Sequence, residues 1–193
     1  MEDYSNQDEY GYEDHEETKP TTVTSAAIKY GLYLGIVSVV IALVQYMFLS
    51  DNPSQSNSMI ILVVSTAISA TAIFFAQKEF KKGNEGYMSY GEGLGIGTLL
   101  SVISGVISSI FNVLYRTVID PGFTKRAMEQ SRKIFEDAGT MSDAEIEQAM
   151  GMAEKFSSPV IIFFVGIVFA AIGGLIISLI VSAINQNKRP MFD

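Results

Sequence analysis

Four long uncharged stretches of apolar residues alternate with polar segments along the chain. They comprise residues 30–49, 59–76, 94–114 and 160–184. A helix of about 20 residues spans the roughly 30 Å hydrocarbon core of a bilayer, and in lipid the backbone amides must be satisfied within the segment. A soluble protein can bury one such stretch, but not four. The pattern therefore predicts an all-α, integral membrane four-helix bundle that crosses the bilayer up and down in alternation.

The segment between the third and the fourth stretch, residues 120–158, has apolar residues at helical spacing among charged ones. The turn sequence at residues 120–122 predicts the entry to a first helix, and Gly139 predicts the C-cap that ends it. Ser142 with Glu145 three positions later predicts a capping box that starts a second helix. The result is an amphipathic helical insert. Its position stays open between the membrane surface, the protein's own bundle and a partner protein.

The N-terminal residues 1–25 differ from the rest, because their first 19 positions carry eight acidic residues against one lysine, out of a formal net charge of −8. Segments of this kind cannot bury enough apolar surface to fold, so we expect a disordered acidic tail. The acidity argues against nucleic acid as a partner, and the start lacks the basic region of a cleavable signal peptide. Residues 26–187 then form the membrane domain and residues 188–193 a short C-terminal tail.

Basic residues near the ends of the apolar stretches predict the topology. They precede the first stretch and follow the second and the fourth, whereas the loop of residues 50–58 has none. By the positive-inside rule, both termini and the second loop are cytoplasmic. Parity then places the insert outside, although it contains both basic and acidic residues. The basic residues in question are Lys29, Lys78, Lys81, Lys82, Lys188 and Arg189.

Small residues recur at every fourth position of the third and the fourth stretch. Such ridges let helix backbones approach closely in lipid. Two uses remain open, namely packing of the two helices within one chain and contact with another copy or another membrane protein. The positions are Gly93, Gly97, Ser101, Gly105 and Ser109, and Gly166, Ala170, Gly174, Ser178 and Ser182.

Residue types that carry catalysis are scarce. The chain has no cysteine and one histidine, His15 in the tail, so thiolate sites and most hydrolase constellations cannot be assembled. The glycine-rich run at residues 91–97 lacks the lysine and the spacing of a phosphate-binding loop. We therefore expect no enzyme, no metal site and no cofactor. Gln45 and Asn112 are the amide side chains within the apolar stretches, either bonded between helices or lining a polar path.

Three short motifs resemble an uncharacterised family of small bacterial membrane proteins, domain of unknown function 4199, which is typical of Bacteroidota. The resemblance covers roughly residues 26–187 and implies four spans with a charged helical insert before the last one. No activity or catalytic residue is established for that family, so the resemblance implies none here. The motifs are Lys29-Tyr30-Gly31-Leu32-Tyr33-Leu34-Gly35, Ser89-Tyr90-Gly91-Glu92, and Tyr115 with Ile119-Asp120-Pro121-Gly122-Phe123.

Two hypotheses about function follow. In the first, the protein is a non-enzymatic accessory or scaffold subunit of an inner-membrane assembly. It then contacts membrane lipid and binds itself or another membrane protein through the small-residue ridges and the insert. The alternative is a small oligomeric transporter or channel, whose path follows the Ser, Gly and Asn112 face of the third helix.

Overall fold

The computed structural model describes residues 20–48 and 55–190 of the chain. Within these residues the protein is all-α. The helices are α1 (Val23–Phe48), α2 (Gln55–Lys82), α3 (Tyr90–Leu114), α4 (Phe123–Ala138), α5 (Asp143–Phe156) and α6 (Pro159–Asn185). Four of them, α1, α2, α3 and α6, are long and apolar enough to cross a membrane. The predicted all-α membrane bundle is therefore confirmed.

Helix α3 occupies the centre of the bundle. Both α6 and α1 pack along it extensively, whereas α2 lies mainly against α1 and α6. Helix α2 is packed unevenly along its length. Its C-terminal half carries the buried residues Ile73, Ala76 and Phe80, but seven of the nine residues 59–67 are exposed. The N-terminal half of α2 thus stands away from the other spans, which leaves space between the helices at that level.

The helices run beyond the apolar stretches that predict them. Helix α2 continues to Lys82, and α1 begins at Val23. Polar side chains are tolerated there because the headgroup regions add about 10 to 15 Å to the hydrocarbon core. The last three residues of the predicted disordered tail, 23–25, are helical, which corrects that boundary. Thr22 and Ser25 cap this first turn, since each side-chain oxygen accepts the other residue's backbone N–H, at 3.0 and 3.1 Å. Residues 1–19 lie outside the described part of the chain.

One end of the bundle, here called the basic end, contains the start of α1, the α2–α3 connection and the end of α6. Met88 and Asn187 exchange backbone hydrogen bonds of 2.8 and 2.9 Å across it, and the Asn84 amide donates to the Thr21 carbonyl at 2.7 Å. The six basic residues identified in the sequence all belong to this end. The opposite end, the insert end, carries α4 and α5.

The insert is a hairpin of two helices that pack against each other. Gly139 ends α4 with a left-handed φ of 60°, and Ser142 with Glu145 forms the capping box of α5, so both local predictions are confirmed. A π-helical turn, Tyr115–Ile119, extends α3 towards the insert. The Phe123 ring at the start of α4 lies edge-on to Tyr46 of α1, with ring centroids 4.8 Å apart. This aromatic contact joins the insert to the bundle.

Candidate functional site

The two small-residue ridges face each other inside the chain. Helices α3 and α6 are antiparallel, and each residue of one ridge opposes a residue of the other. A Cβ atom added at Gly105 would lie 2.6 Å from the Cβ of Ala170, closer than real atoms approach. All ten predicted residues therefore belong to one intramolecular interface. The facing pairs are Gly93 with Ser182, Gly97 with Ser178, Ser101 with Gly174, Gly105 with Ala170, and Ser109 with Gly166.

A cavity of about 340 Å³ lies beside this interface, between all four spans. Its volume falls at the lower end of the range of small-molecule sites. Hydroxyl groups dominate its lining, with one amide and no charged side chain among the described residues. The polar residues that line it are Ser38 of α1; Ser65, Thr66 and Ser69 of α2; and Ser101, Ser104, Ser108, Ser109 and Asn112 of α3.

The cavity has two structural causes: its α6 wall lacks large side chains, and its α2 wall is separated from α3. Helix α6 contributes Gly166, Ala170, Gly173 and Gly174, which present almost no side chain, and the N-terminal half of α2 is separated from α3. Ser65 and Ser69 donate to backbone carbonyls one turn earlier, at 2.7 and 2.8 Å. Such bonds use the hydroxyl proton and leave acceptor lone pairs free. The lining thus offers many hydrogen-bond acceptors without a net charge.

Asn112 lies at the insert end of the cavity, where three elements meet. Its amide donates to the Ser108 carbonyl at 2.9 Å, and its oxygen accepts a hydrogen bond from the Tyr46 hydroxyl. The Tyr46 ring stacks on Tyr115, with centroids 3.9 Å apart. Gln45, the other predicted path residue, precedes Tyr46 on α1 and is not among the residues that line the cavity.

A buried polar network closes the bundle at the basic end. The side chain of Gln77 is fully buried and donates to the Gly93 carbonyl at 3.1 Å and to Ser182 Oγ at 2.8 Å. Its oxygen accepts from the Asn185 amide at 3.1 Å. Lys81 Nζ donates to the Asn185 carbonyl at 3.0 Å. The amide of Gln77 therefore connects α2 to α3 through Gly93 and to α6 through Ser182 and Asn185.

Ser178 lies between the cavity and this network. It is completely buried, and within the described residues its Oγ atom has no hydrogen-bond partner. It faces Gly97, one helical turn from the Ser101–Gly174 pair that borders the cavity. Polar groups therefore continue along the α3–α6 interface from Asn112 to Asn185, but side chains fill the interface between the cavity and the basic end.

The sequence interpretation missed Gln77 because it placed this residue at the start of a loop. A signal for it was present. Ile73, Ala76 and Phe80 continue a helical apolar period through this position. Gln77 lies on the same buried side, so a glutamine there had to be hydrogen-bonded within the bundle.

Within the described part of the chain, no group of three or more His, Cys, Asp or Glu residues is arranged to hold a metal ion.

The chain was compared with curated proteins, solved structures and models of protein families. No curated protein and no solved structure shows a significant match to the chain. Residues 29–187 match the family model described as protein of unknown function (DUF4199). This match includes all four spans and the helical insert, and it agrees with the resemblance carried by the three motifs. The chain therefore belongs to the DUF4199 family.

Proposed function

We propose that this protein binds a small uncharged polar solute in the cavity between its spans and passes it across the membrane. The observation that supports the proposal is the lining of that cavity, with eight hydroxyl groups and the amide of Asn112. Hydroxyl groups inside lipid are costly unless they have partners. A cavity that gathers them from three spans is therefore suited to a ligand that completes their hydrogen bonds.

The chemistry of the lining selects against ions. Hydroxyl and amide groups both donate and accept hydrogen bonds, as neutral polyols, amides and water do. An ion would have to leave water without a countercharge, because no Asp, Glu, Lys or Arg is among the described residues that line the cavity. Among the described residues that line the cavity there is also no base to activate the hydroxyls as nucleophiles. The proposed activity is accordingly passage without chemical conversion.

The proposed path is closed at the basic end of the bundle. The cavity extends to Asn112 at the insert end, whereas Ser178 and the Gln77 network block it at the basic end. Passage then requires α6 to move relative to α3 and α2, so that Ser182 and Asn185 separate from Gln77. Ser178, which has no partner within the described residues, gains one when a solute or water enters.

Reconstitution into liposomes tests this proposal. Osmotic light scattering would measure entry of water, urea and glycerol, with sucrose as a larger comparison solute. We expect at least one small solute to enter faster than into empty liposomes. Ser69→Leu fills the cavity and should abolish this excess. Thr71→Leu is the matched control, because Thr71 lies on the same helix, donates similarly to a carbonyl one turn earlier, at 2.8 Å, and faces away from the cavity.

Two results would contradict the proposal. One is solute entry equal to that of empty liposomes across the whole panel. The other is an equal loss of flux in Ser69→Leu and Thr71→Leu, since that would assign the loss to damage of α2 and not to filling of the cavity.

A second candidate function is that of an accessory or scaffold subunit. The observation that favours it is the insert, where Ile134, Met152 and Phe156 are each more than half exposed. The small-residue ridges oppose each other within the chain, so of the two surfaces expected from the sequence the insert is the one left accessible to such a partner. Purification in mild detergent, followed by mass spectrometry, should then recover a stoichiometric partner. Replacing these three residues by serine should release it, and retention of the partner would count against this function.

We further propose that the basic end faces the cytoplasm of a bacterial inner membrane. Among the described residues each end carries six basic residues, but those of the basic end all lie at the ends of spans, whereas four of the six in the insert lie within α4. A surplus of Lys and Arg near the ends of spans marks the cytoplasmic side.

A further inference from the structure

We infer that the basic end carries a binding site for the phosphate group of an anionic phospholipid, in a groove between α1 and α2. The groove is shallow and open, has a volume of about 540 Å³ and is lined by Tyr30, Phe75, Lys78, Glu79 and Lys82. It shares no lining residue with the cavity of the proposed function. Lipid binding in the groove and solute passage through the cavity can therefore be tested independently.

The one acidic group of the groove is already neutralised. Lys29 Nζ donates to both oxygens of Glu79, at 2.9 and 2.7 Å. The Tyr30 hydroxyl donates to the same carboxylate at 2.9 Å. Glu79 keeps an electrostatic attraction to Lys82, but both of its oxygens are already hydrogen-bonded by Lys29 and one of them also by Tyr30.

Lys78 and Lys82 are consequently the charges that the groove presents to a ligand. They occupy successive turns of α2, which places them on one face of the helix. Lys78 Nζ lies over the Phe74 ring, 5.0 Å from its centroid, and neither ammonium group forms an ion pair with any described residue. Two adjacent ammonium groups that form no salt bridge with the described residues match a phosphate group.

Depth and apolar surface identify the source of the phosphate as a lipid. Helix α2 has 28 residues, so at about 1.5 Å per residue it outreaches the hydrocarbon core and its last turns lie at headgroup depth. Phe75, half exposed, borders the groove on the side of the bilayer centre. A phospholipid can place its phosphate between the lysines and an acyl chain against Phe75. Basic pockets between spans on the cytoplasmic side bind anionic headgroups in this way.

Native mass spectrometry of the full chain in detergent tests the inference. We expect bound phosphatidylglycerol at concentrations where phosphatidylcholine is not retained. The variant Lys78→Gln/Lys82→Gln should weaken phosphatidylglycerol binding by at least tenfold. Lys78→Arg/Lys82→Arg keeps the charge and should retain binding. The matched control Lys125→Gln/Lys133→Gln removes the same charge from exposed positions of α4 and should bind as the unmodified protein does.

Three results would overturn the inference. The first is equal retention of the anionic and the zwitterionic lipid, and the second is equal weakening in the α2 and the α4 double variants. The third is displacement of the lipid by glycerol 3-phosphate at comparable concentration, because that would make the groove a site for free phosphate. Melting of each variant without added lipid separates loss of the site from loss of the fold.

Discussion

At the scale of single residues, adjacent glycines of α6 have opposite surroundings. A Cβ atom at Gly174 would overlap Ser101, whereas one at Gly173 would meet nothing within 4 Å. Gly174→Ala should therefore destabilise the bundle by about 1 to 3 kcal/mol, the usual cost of overpacking. Gly173→Ala should leave the melting temperature in detergent unchanged or slightly raised, because alanine favours the helix. Equal melting of the two variants would show that the α3–α6 contact does not limit stability.

Residue spacing alone revealed much of this interface. Small residues at every fourth position mark a helix face that admits a close neighbour, and the antiparallel pairing of Gly97 with Ser178 follows from two such faces on consecutive spans. Spacing does not reveal where the helices fail to touch. The cavity depends on the separation of α2 from α3, which is a property of the tertiary structure. Neither helix sequence alone therefore predicts that Ser69 and Ser104 line the same cavity.

At the scale of elements, helices α4 and α5 of the insert bury a single apolar side chain among the described residues, that of Ile146. Ile146 of α5 is 3% exposed, whereas Ile134 of α4 is 53% exposed. Ile146→Ala should cost about 2 to 5 kcal/mol of local stability, as for other buried isoleucines, and should open the hairpin while the spans stay folded. Limited proteolysis should then cut the insert faster. Ile134→Ala is the control, and equal cleavage of both variants would contradict a packed hairpin.

The first turn of α5 should respond to acid. Glu145 accepts hydrogen bonds from the backbone N–H and the hydroxyl of Ser142, both at 2.8 Å. These bonds lower the pKa of the Glu145 carboxyl below its ordinary value of 4.5. Because the folded pKa is the lower one, the capping box stabilises α5 above pH 4.5, and this contribution is lost as the pH falls through the folded value.

Hydrogen exchange measures this effect. Protection factors of the first-turn amides of α5 should decrease between pH 6 and pH 3, and Glu145→Gln should flatten that dependence. Amides in the last turn of α5 provide the internal control. An unchanged pH profile in the glutamine variant would assign the fraying to other groups.

At the scale of the whole molecule, the chain's architecture followed from its hydrophobic pattern, since each span is a local property of about 20 residues. Long-range polar contacts did not follow. Gln77 and Asn185 are 108 positions apart, and Lys29 and Glu79 are 50 apart. No periodicity within one helix identifies such partners. The hydrogen bond between Gln77 and Asn185 and the ion pair between Lys29 and Glu79 can be identified only once the four spans are placed together.

The arrangement of charges at the two ends predicts the membrane topology, with the basic end in the cytoplasm. The absence of cysteine from the chain allows single cysteines to be placed without background labelling. Gln186→Cys reports on the basic end and Ser131→Cys on the insert, and both positions are exposed. An impermeant maleimide applied to intact spheroplasts should label Ser131→Cys directly. It should label Gln186→Cys only after the membrane is permeabilised.

The opposite labelling pattern would carry a specific meaning. The insert, with its six basic residues, would then lie in the cytoplasm, and the Asn112 end of the cavity would face the cytoplasm. The groove with Lys78 and Lys82 would face the outer leaflet. Because the positive-inside rule counts basic residues close to the ends of spans, and those of the insert lie mostly farther away, we expect the basic end inside.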